Sequence, residues 1–204
     1  AEAVAASVYG LTEWNEEAVR SAKLIANPGC YPTAVLLSLL PLLKEGLIDP
    51  SFLVIDAKSG VSGAGNKPSQ TTHFSETNEN FSIYKINEHQ HIPEIEQAIQ
   101  LFAGIDTKIS FNTHLVPMTR GILATSYAAV KPGVTQGMLV ECLQKAYADH
   151  PFVRVIEQVG MIGTNRVKGS NYCDVYAKLD ERTGRATIVC VIDNLVKGAA
   201  GQAI

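Results

Sequence analysis

The feature that most limits the possible folds is the run of strand-forming segments in the second half of the chain. Lys108 to Val116 and Ile122 to Val130 follow one another across a short turn, and a hairpin turn joins Cys173 to Leu179 with Thr187 to Ile192. Strands joined by short turns and interspersed with three or four helices predict an α+β fold with a mixed, largely antiparallel sheet. We expect its helices to pack on one face of the sheet. The sequence has no strand–GxGxxG–helix unit, so no dinucleotide-binding fold begins in this chain.

Caps and periodicity place the remaining elements. Predicted helices run over Asn15–Arg20, Pro32–Lys44, Pro93–Ile99, from the cap Thr135 to about Ala148, and over Asn194–Ile204. Gly46 closes the second of these helices. Further strands are predicted at Leu24–Ala26, Phe52–Ala57 and Phe81–Asn87, and Ser59–Asn80 is predicted to be a long polar loop. We expect no domain boundary inside residues 1–204.

Composition and charge exclude several classes of function. The chain is 46% hydrophobic, which excludes global disorder, and its net charge of −3 gives no reason to expect a nucleic-acid or membrane partner. No apolar run approaches the roughly 18 residues that a membrane span needs. Four cysteines without a CxxC pair favour a reducing compartment, so a cytoplasmic protein is expected. The opening Ala1-Glu2-Ala3 lacks Met, which predicts either processing or a piece of a longer protein.

The strongest candidate for chemistry is Cys30, within the segment NPGCYPTA. A strand ends, the chain turns through Pro28-Gly29, and Cys30 stands just before a helix. Unpaired N–H groups at a helix N-terminus stabilise a thiolate and an oxyanion, so a nucleophilic cysteine is predicted. The alternative is a buried structural cysteine at a tight turn. Cys142 and Cys190 belong to apolar patterns and are predicted to lie in the core, while Cys173 is predicted to be a strand residue near the site.

Two histidines one residue apart, His89 and His91, precede the helix that Pro93 starts. A nucleophilic cysteine needs a base or an imidazolium partner, and a strand end held by a helix is a rigid place for one. The alternatives are a metal pair, with His73 and His114 contributing in space, or surface histidines that cap a helix.

Three further segments could bind a ligand. The stretch SGVSGAG from Ser59 to Gly65 could bring backbone N–H groups close to a phosphate or a cofactor, or it could be a flexible surface loop. Arg120 lies between two strands, where it could hold a carboxylate or phosphate, or simply be an exposed turn residue. Asp193-Asn194 starts a helix and by itself indicates nothing more.

Taken together, these segments resemble the N-acetyl-γ-glutamyl-phosphate reductase family, in order from about Val8 to the last residue. The resemblance rests on NPGCYPTA, SGVSGAG, HQHIPEI, PMTRGI and DNLVKGAA. The glycine-rich loop and the DNL segment are shared more loosely with aspartate-semialdehyde dehydrogenase. The resemblance implies a single catalytic and dimerisation domain with a glyceraldehyde-3-phosphate dehydrogenase-like C-terminal fold. It also implies that an N-terminal Rossmann domain for NADP is absent from this chain.

For the reaction, the resemblance implies reduction of N-acetyl-γ-glutamyl phosphate to the semialdehyde plus phosphate, through a Cys30 thioester, in arginine biosynthesis. The resemblance assigns the acid/base role to the His89/His91 pair, and His91 is preferred because it is nearer the helix start. The remaining implied roles are substrate binding by Arg120, Ser59 and Lys67, and binding of NADP(H) by Ser62, Gly63 and Asn194, without a metal. A dimer or tetramer is implied, and the isolated domain should bind NADPH weakly.

Three other functions remain open from the sequence. The first is an aspartate-semialdehyde dehydrogenase-like reductase, and the second is a nicotinamide-independent acyl-transfer enzyme or hydrolase that uses Cys30 and His91. The third is a dimerisation module without activity of its own.

Overall fold

A seven-stranded sheet organises the computed structural model, which describes residues 6–204 and so leaves the Ala1-Glu2-Ala3 opening outside the description. The strands are β1 (Val8–Tyr9), β2 (Ile25–Ala26), β3 (Ile48–Gly60), β4 (Ser82–Tyr84), β5 (Ile109–Val116), β6 (Ile122–Val130), β7 (Val153–Val155), β8 (Cys173–Asp180) and β9 (Arg185–Ile192). The main sheet has the order β4-β5-β3-β6-β9-β8-β7, and β1 pairs with β2 in a separate parallel pair. Only β3/β5 and β7/β8 are parallel within the main sheet. The predicted mixed, largely antiparallel sheet is confirmed.

Four helices of ten or more residues accompany the sheet: α1 (Thr12–Ser21), α2 (Cys30–Lys44), α3 (Ile92–Ala103) and α4 (Gln136–Ala146). The long helix α2 packs on β3, β6 and β9, and its other sides contact α3 and α4. Residues 31–43 of α2 are all buried, as expected of a helix that is apolar on every side. It therefore forms the centre of the core. None of the helices in residues 6–204 is long and apolar enough to cross a membrane.

Local sequence signals explain how several elements begin and end. Gly46 has φ +66° and ends α2, because a left-handed residue at this position costs glycine little. The Thr135 side chain accepts a hydrogen bond from the Met138 amide and caps α4, as predicted. The same helix ends at Ala146 rather than at Ala148.

Several predicted boundaries are wrong, for identifiable reasons. Helix α1 begins at Thr12, and Asn15 is a kink inside it whose side chain donates to the Tyr9 carbonyl oxygen rather than capping the helix. Helix α2 begins at Cys30, so Pro32 is its third residue. Strand β4 stops at Tyr84 because Lys85 and Asn87 have positive φ angles, which extended strands do not tolerate.

Other differences are matters of extent. Strand β3 is 13 residues long because it pairs with β6 from Ile48 to Ser59 and with β5 from Leu53 to Gly60. The predicted loop after it holds short helical turns at Val61–Ala64, Gln70–Thr72 and Phe74–Thr77. Strand β7 was not predicted. The predicted final helix is a π-helical turn, Val196–Ala200, broken at Ala199 and followed by Gly201–Ala203.

The register of the sheet brings three chain segments together at one end of its central strands, which we call the sheet edge. Ser59 pairs with Ile122, and Ile122 pairs with Ile192. The end of β3, the start of β6 and the end of β9 therefore lie side by side. This edge carries several of the candidate site residues. The N-terminus of α2 lies next to it, because Gly198 packs against Cys30.

Candidate active site

Cys30 is the first residue of α2 and is held from two sides. Gly29 before it has extended backbone angles, and its carbonyl oxygen accepts hydrogen bonds from the Thr33 amide and hydroxyl, both at 2.9 Å. On the other side lies Gly198, where an added Cβ would come within 2.8 Å of the Cys30 Cβ. Cys30 is thus packed between the start of α2 and the π-helical turn Val196–Ala200.

Burial raises the pKa of the Cys30 thiol to about 11, and the backbone N–H groups of Tyr31 and of Cys30 itself act in the lowering direction. The helix N-terminus does stabilise the thiolate, as the sequence suggested. Its effect is smaller than the desolvation that the surrounding core imposes. The expected lowering of the thiol pKa is therefore wrong for this structure, and Cys30 rests as a thiol.

His91 lies directly against the residue that precedes Cys30. An added Cβ at Gly29 would stand 2.5 Å from the His91 Nε2 atom, so this ring occupies the space that any other side chain would need. The His91 Nδ1 atom is buried and has no hydrogen-bond partner within residues 6–204. Burial, followed by the charge of Lys85, lowers the pKa of His91 to about 4. The ring is neutral near pH 7 and can accept a proton.

His89 has a different environment from its neighbour. It is 5% exposed, and its ring meets Tyr31 at 5.4 Å and Phe111 at 5.6 Å between centroids, both edge to face. Its Nδ1 atom accepts a hydrogen bond from the His91 amide at 3.2 Å. Burial, then His91 and Lys85, lower its pKa to about 4. His89 therefore packs in an aromatic environment and supports the backbone of His91.

Arg120 and Asp193 form an ion pair at the shared sheet edge. Arg120 Nη2 lies 3.1 Å from Asp193 Oδ1, and Asp193 is fully buried. The Asp193 carboxylate also accepts from the amides of Gly169, Leu195 and Val196. Its negative charge is therefore well satisfied. The guanidinium is fixed in direction but still partly exposed, so it could meet an anion.

The candidate cofactor residues form a second set of contacts at this edge. Asn194 Oδ1 accepts from the Gly121 amide at 2.7 Å, and its Nδ2 donates to Ser62 Oγ at 3.0 Å. An added Cβ at Gly63 would lie 2.5 Å from Ser59 Oγ and 3.7 Å from Asn194 Nδ2. Ser59, Ser62, Gly63 and Asn194 are thus brought together. The exposed Gly63 backbone borders this cluster.

Lys67 lies apart from these contacts, in the exposed stretch 63–71. It lines a cavity of about 580 Å³ together with Ser62 and Thr119, the neighbour of Arg120. Ser62 is the residue that joins this cavity to the cluster around Asn194.

Comparison with known proteins places this arrangement in a family. The sequence profile of the semialdehyde dehydrogenase dimerisation domain matches residues 30–194. The chain belongs to this family. It is 58% identical over 204 residues to the N-acetyl-gamma-glutamyl-phosphate reductase of Geobacillus kaustophilus, covering 100% of this chain and 59% of that protein. It is 56% identical over 198 residues to the reductase of Bacillus subtilis, covering 97% of this chain and 57% of that protein.

Solved structures agree on the fold. Aspartate semialdehyde dehydrogenase II from Vibrio cholerae superposes with a TM-score of 0.74 at 17% identity, over 98% of this chain and 66% of that one. The enzyme from Francisella tularensis gives 0.74 at 13% identity, over 95% and 68%. The expected glyceraldehyde-3-phosphate dehydrogenase-like fold is confirmed. The chain spans less than two thirds of the length of its curated relatives.

Sequence reasoning missed three residues of the semialdehyde dehydrogenase domain that contact the candidate site. Asp193 orients Arg120, Tyr31 shares a 3.0 Å hydroxyl contact with Tyr84 beside the histidines, and Glu94 accepts from the Gly29 amide. Each of these contacts joins segments far apart in sequence. The local signals were the acidic residue in the first turn of α3 and the helix start at Asp193-Asn194.

The alternative in which the histidines bind a metal ion needs a cluster of ligand side chains. Within the described part of the chain, no group of three or more His, Cys, Asp or Glu side chains could hold a metal ion. His114 instead pairs with Asp56 at 3.0 Å on the sheet, and His73 contacts Ser75 at 3.0 Å.

Proposed function

We propose that this chain is the catalytic and dimerisation part of an N-acetyl-γ-glutamyl-phosphate reductase, a single domain whose NADP-binding Rossmann domain lies outside it. The observation that carries the proposal is the placement of His91 Nε2 against the Gly29–Cys30 segment at the start of α2. The support from relatives is their identity of 58% and 60% to proteins of that name. The whole reaction, its substrate and its pathway, arginine biosynthesis, are part of the proposal.

In the first step the Cys30 Sγ atom forms a bond to the acyl carbon of the substrate. The thiol proton passes to His91 Nε2, and the bond to phosphate breaks with its electron pair leaving on the phosphate. Both groups are neutral at rest, because burial raises the pKa of Cys30 and lowers that of His91. These pKa values disfavour a free thiolate–imidazolium pair, so the proposed proton transfer to His91 occurs in concert with the attack on the acyl carbon. The N–H groups of Cys30 and Tyr31 at the start of α2, which act on the Cys30 thiol at rest, are proposed to stabilise the developing oxyanion.

Arg120 is the residue proposed to hold the substrate's carboxylate or phosphate. Its Nη2 is bound to Asp193, so the guanidinium already points in one direction before substrate arrives. A preoriented guanidinium loses less side-chain entropy on binding. Ser59 and Lys67 are proposed as further substrate contacts, with Lys67 reaching in from the cavity that it shares with Ser62.

NADP(H) is the proposed cofactor, and when bound it supplies the hydride that reduces the acyl group. The residues that fit its nicotinamide end are Ser62, Gly63 and Asn194. Asn194 keeps a second N–H on Nδ2 beyond the one that it gives to Ser62, and the backbone of Gly63 is exposed beside it. His91 then returns its proton when the reduced carbon leaves Cys30.

A homo-oligomer, either a dimer or a tetramer, and a cytoplasmic location complete the proposal. The open face of the sheet supports an oligomer. On that face, opposite the helix-covered side, Tyr127 is 38% exposed and pairs across the strands with the half-buried Thr187. The dimerisation-domain profile supports the same conclusion.

The first half-reaction tests the proposal without a cofactor. This chain is mixed with N-acetyl-γ-glutamyl phosphate, and released phosphate and the mass of the intact chain are followed. We expect one acyl group on Cys30 per chain, released phosphate in equal amount, and no adduct with Cys30→Ser. Acylation by aspartyl phosphate alone would instead support the aspartate-semialdehyde dehydrogenase alternative. Continuous release of acid without any nicotinamide would support a hydrolase, and absence of any adduct would contradict an acyl-phosphate enzyme.

A further inference from the structure

Glu94 reaches from one helix start to another. It lies in the first turn of α3, three residues after His91. Its Oε1 atom accepts a hydrogen bond from the Gly29 amide at 2.8 Å and a second from the Tyr9 hydroxyl at 2.8 Å. The carboxylate therefore holds the peptide that precedes the nucleophile while belonging to the helix that follows the imidazole.

We propose that Glu94 is the positioning residue that holds Cys30 and His91 in reacting geometry. The inference rests on the proposed function, in which Cys30 is the nucleophile and His91 the base. Glu94 itself would touch neither the substrate nor the reacting atoms. It acts through the Gly29 amide.

The packing between Gly29 and His91 explains why the hydrogen bond from the Gly29 amide to Glu94 matters. The ring is so close that a Cβ on Gly29 would stand 2.5 Å from His91 Nε2. The Gly29 amide lies outside α2, and it has no helical carbonyl to bind. Without the Glu94 oxygen, this donor would lose its partner at a half-buried position. The turn could then rotate, and both reacting groups would shift relative to each other.

The Tyr9 hydroxyl further fixes the position of the Glu94 acceptor oxygen. Burial and the neighbouring Glu94 raise the pKa of the Tyr9 hydroxyl, so it stays protonated and donates. Two donors that converge on one oxygen fix the carboxylate from both sides. The small β1/β2 pair is thereby connected to the start of α3.

The charge of Glu94 does not explain its presence. Beside Cys30, a carboxylate raises the pKa of the thiol, which opposes formation of the thiolate. If activation of the thiol were the purpose, a neutral side chain would serve better. The geometry of the acceptor oxygen is what the carboxylate contributes, and this gives a way to separate the two effects.

Acetylation of Cys30 by 4-nitrophenyl acetate tests the proposal on this chain. Cys30 Sγ bonds to the acetyl carbon, the thiol proton passes to His91, and 4-nitrophenolate leaves and is measured as a burst. Glu94→Ala should slow the saturating burst rate about tenfold to hundredfold, with little change in the half-saturating ester concentration. Glu94→Gln keeps the acceptor oxygen and removes the charge, so its rate should stay within about threefold of the parent.

Combining the Glu94 and His91 substitutions in one chain distinguishes a positioning role of Glu94 from a merely structural one. His91→Asn should cost about a hundredfold in the parent chain but less than about tenfold in the Glu94→Ala background, because misaligned groups no longer act together. Glu96→Ala is the matched control. It also removes a carboxylate of α3 that accepts from a backbone amide, that of Ile109 at 3.2 Å, and it should leave the burst rate unchanged.

A burst at the parent rate in Glu94→Ala, or an equal cost of His91→Asn in both backgrounds, would overturn the proposal. If Glu94→Ala does not fold, Glu94→Asp decides instead. Its shorter side chain keeps the charge but not the reach to Gly29, so an unchanged burst rate would also be contradictory. A burst with the ester but no adduct from the acyl phosphate would contradict the proposed function alone, and no burst from the parent chain would overturn both.

Discussion

Two parts of the candidate site differ in how firmly the fold holds them. Cys30, His91 and Arg120 are half-buried. Cys30 and His91 lie at helix starts, Arg120 lies in the short turn between β5 and β6, and each contacts a distant segment. Lys67 lies in the exposed stretch 63–71. Hydrogen bonds further along the loop, such as those between the hydroxyls of Ser69 and of Thr71 and Thr72, join near neighbours.

The difference teaches which contributions are built before substrate binds. A side chain held by the core needs little further ordering, so its removal should affect the chemical step. A side chain on an exposed loop must be ordered by the ligand and contributes less. The following experiments test this comparison, beginning with the largest expected effect.

The rate at which iodoacetamide labels Cys30 should rise about a thousandfold between about pH 7 and pH 10, without a plateau. Below its pKa of about 11, the thiolate fraction grows about tenfold for each pH unit. The rate is measured by mass spectrometry of the Cys30 peptide. The Cys142 peptide, whose thiol pKa burial also raises to about 11, should show a parallel rise. A plateau near neutral pH would mean that the start of α2 outweighs burial.

Gly29→Ala should slow acylation of Cys30 about a hundredfold, because the new methyl group must displace the His91 ring. The φ angle of Gly29 is −65°, so the backbone itself accepts alanine and the effect is steric. Acylation is followed by phosphate release. As a control, Gly137→Ala adds a methyl group whose nearest neighbour lies 3.8 Å away, and its rate should match the parent. An undisturbed rate in Gly29→Ala would show that His91 is not needed where it lies.

Arg120→Ala should raise the half-saturating concentration of acyl phosphate about tenfold, the cost of one charge-assisted hydrogen bond. The matched control is Arg154→Ala, which breaks a similar ion pair with the buried Asp174 at the β7/β8 edge. That control should leave substrate saturation unchanged. Equal shifts in the two variants would mean that Arg120 has only a structural role.

Lys67→Ala should have the smallest effect, a rise of no more than about threefold in the half-saturating acyl phosphate concentration, with stability within about 0.5 kcal/mol of the parent. Titration of acylation and a denaturant melt provide the two measurements. A loss comparable to that of Arg120→Ala would contradict the comparison, because the loop would then be as important as the anchored residues.

Much of the fold could be predicted because its signals are local. Strand-forming segments separated by a short turn identified β5 and β6, and the Thr135 cap and Gly46 marked the ends of helices. Boundaries failed where a partner outside the element decides. Asn15 binds the Tyr9 carbonyl instead of capping a helix, and β3 is lengthened by pairing on both sides.

The candidate site divides in the same way. The sequence located Cys30 at a helix start, both histidines, and Arg120 between two strands, since these depend on motif and position alone. Which histidine lies against Gly29, the residue before Cys30, depended on tertiary packing. His91 takes that place, while Tyr31 and Phe111 pack around His89. The protonation of Cys30 depended on burial, which no local pattern reports.

The sequence by itself therefore determined most of the elements, the order of the motifs and the candidate site residues, because propensity, caps and turn residues act over a few neighbours. The tertiary structure alone decided that Cys30 is a thiol, that Asp193 directs Arg120 and that Glu94 reaches the Gly29 amide 65 residues away. The physical reason is that desolvation and hydrogen bonding between distant segments exist only once the core has brought those segments together.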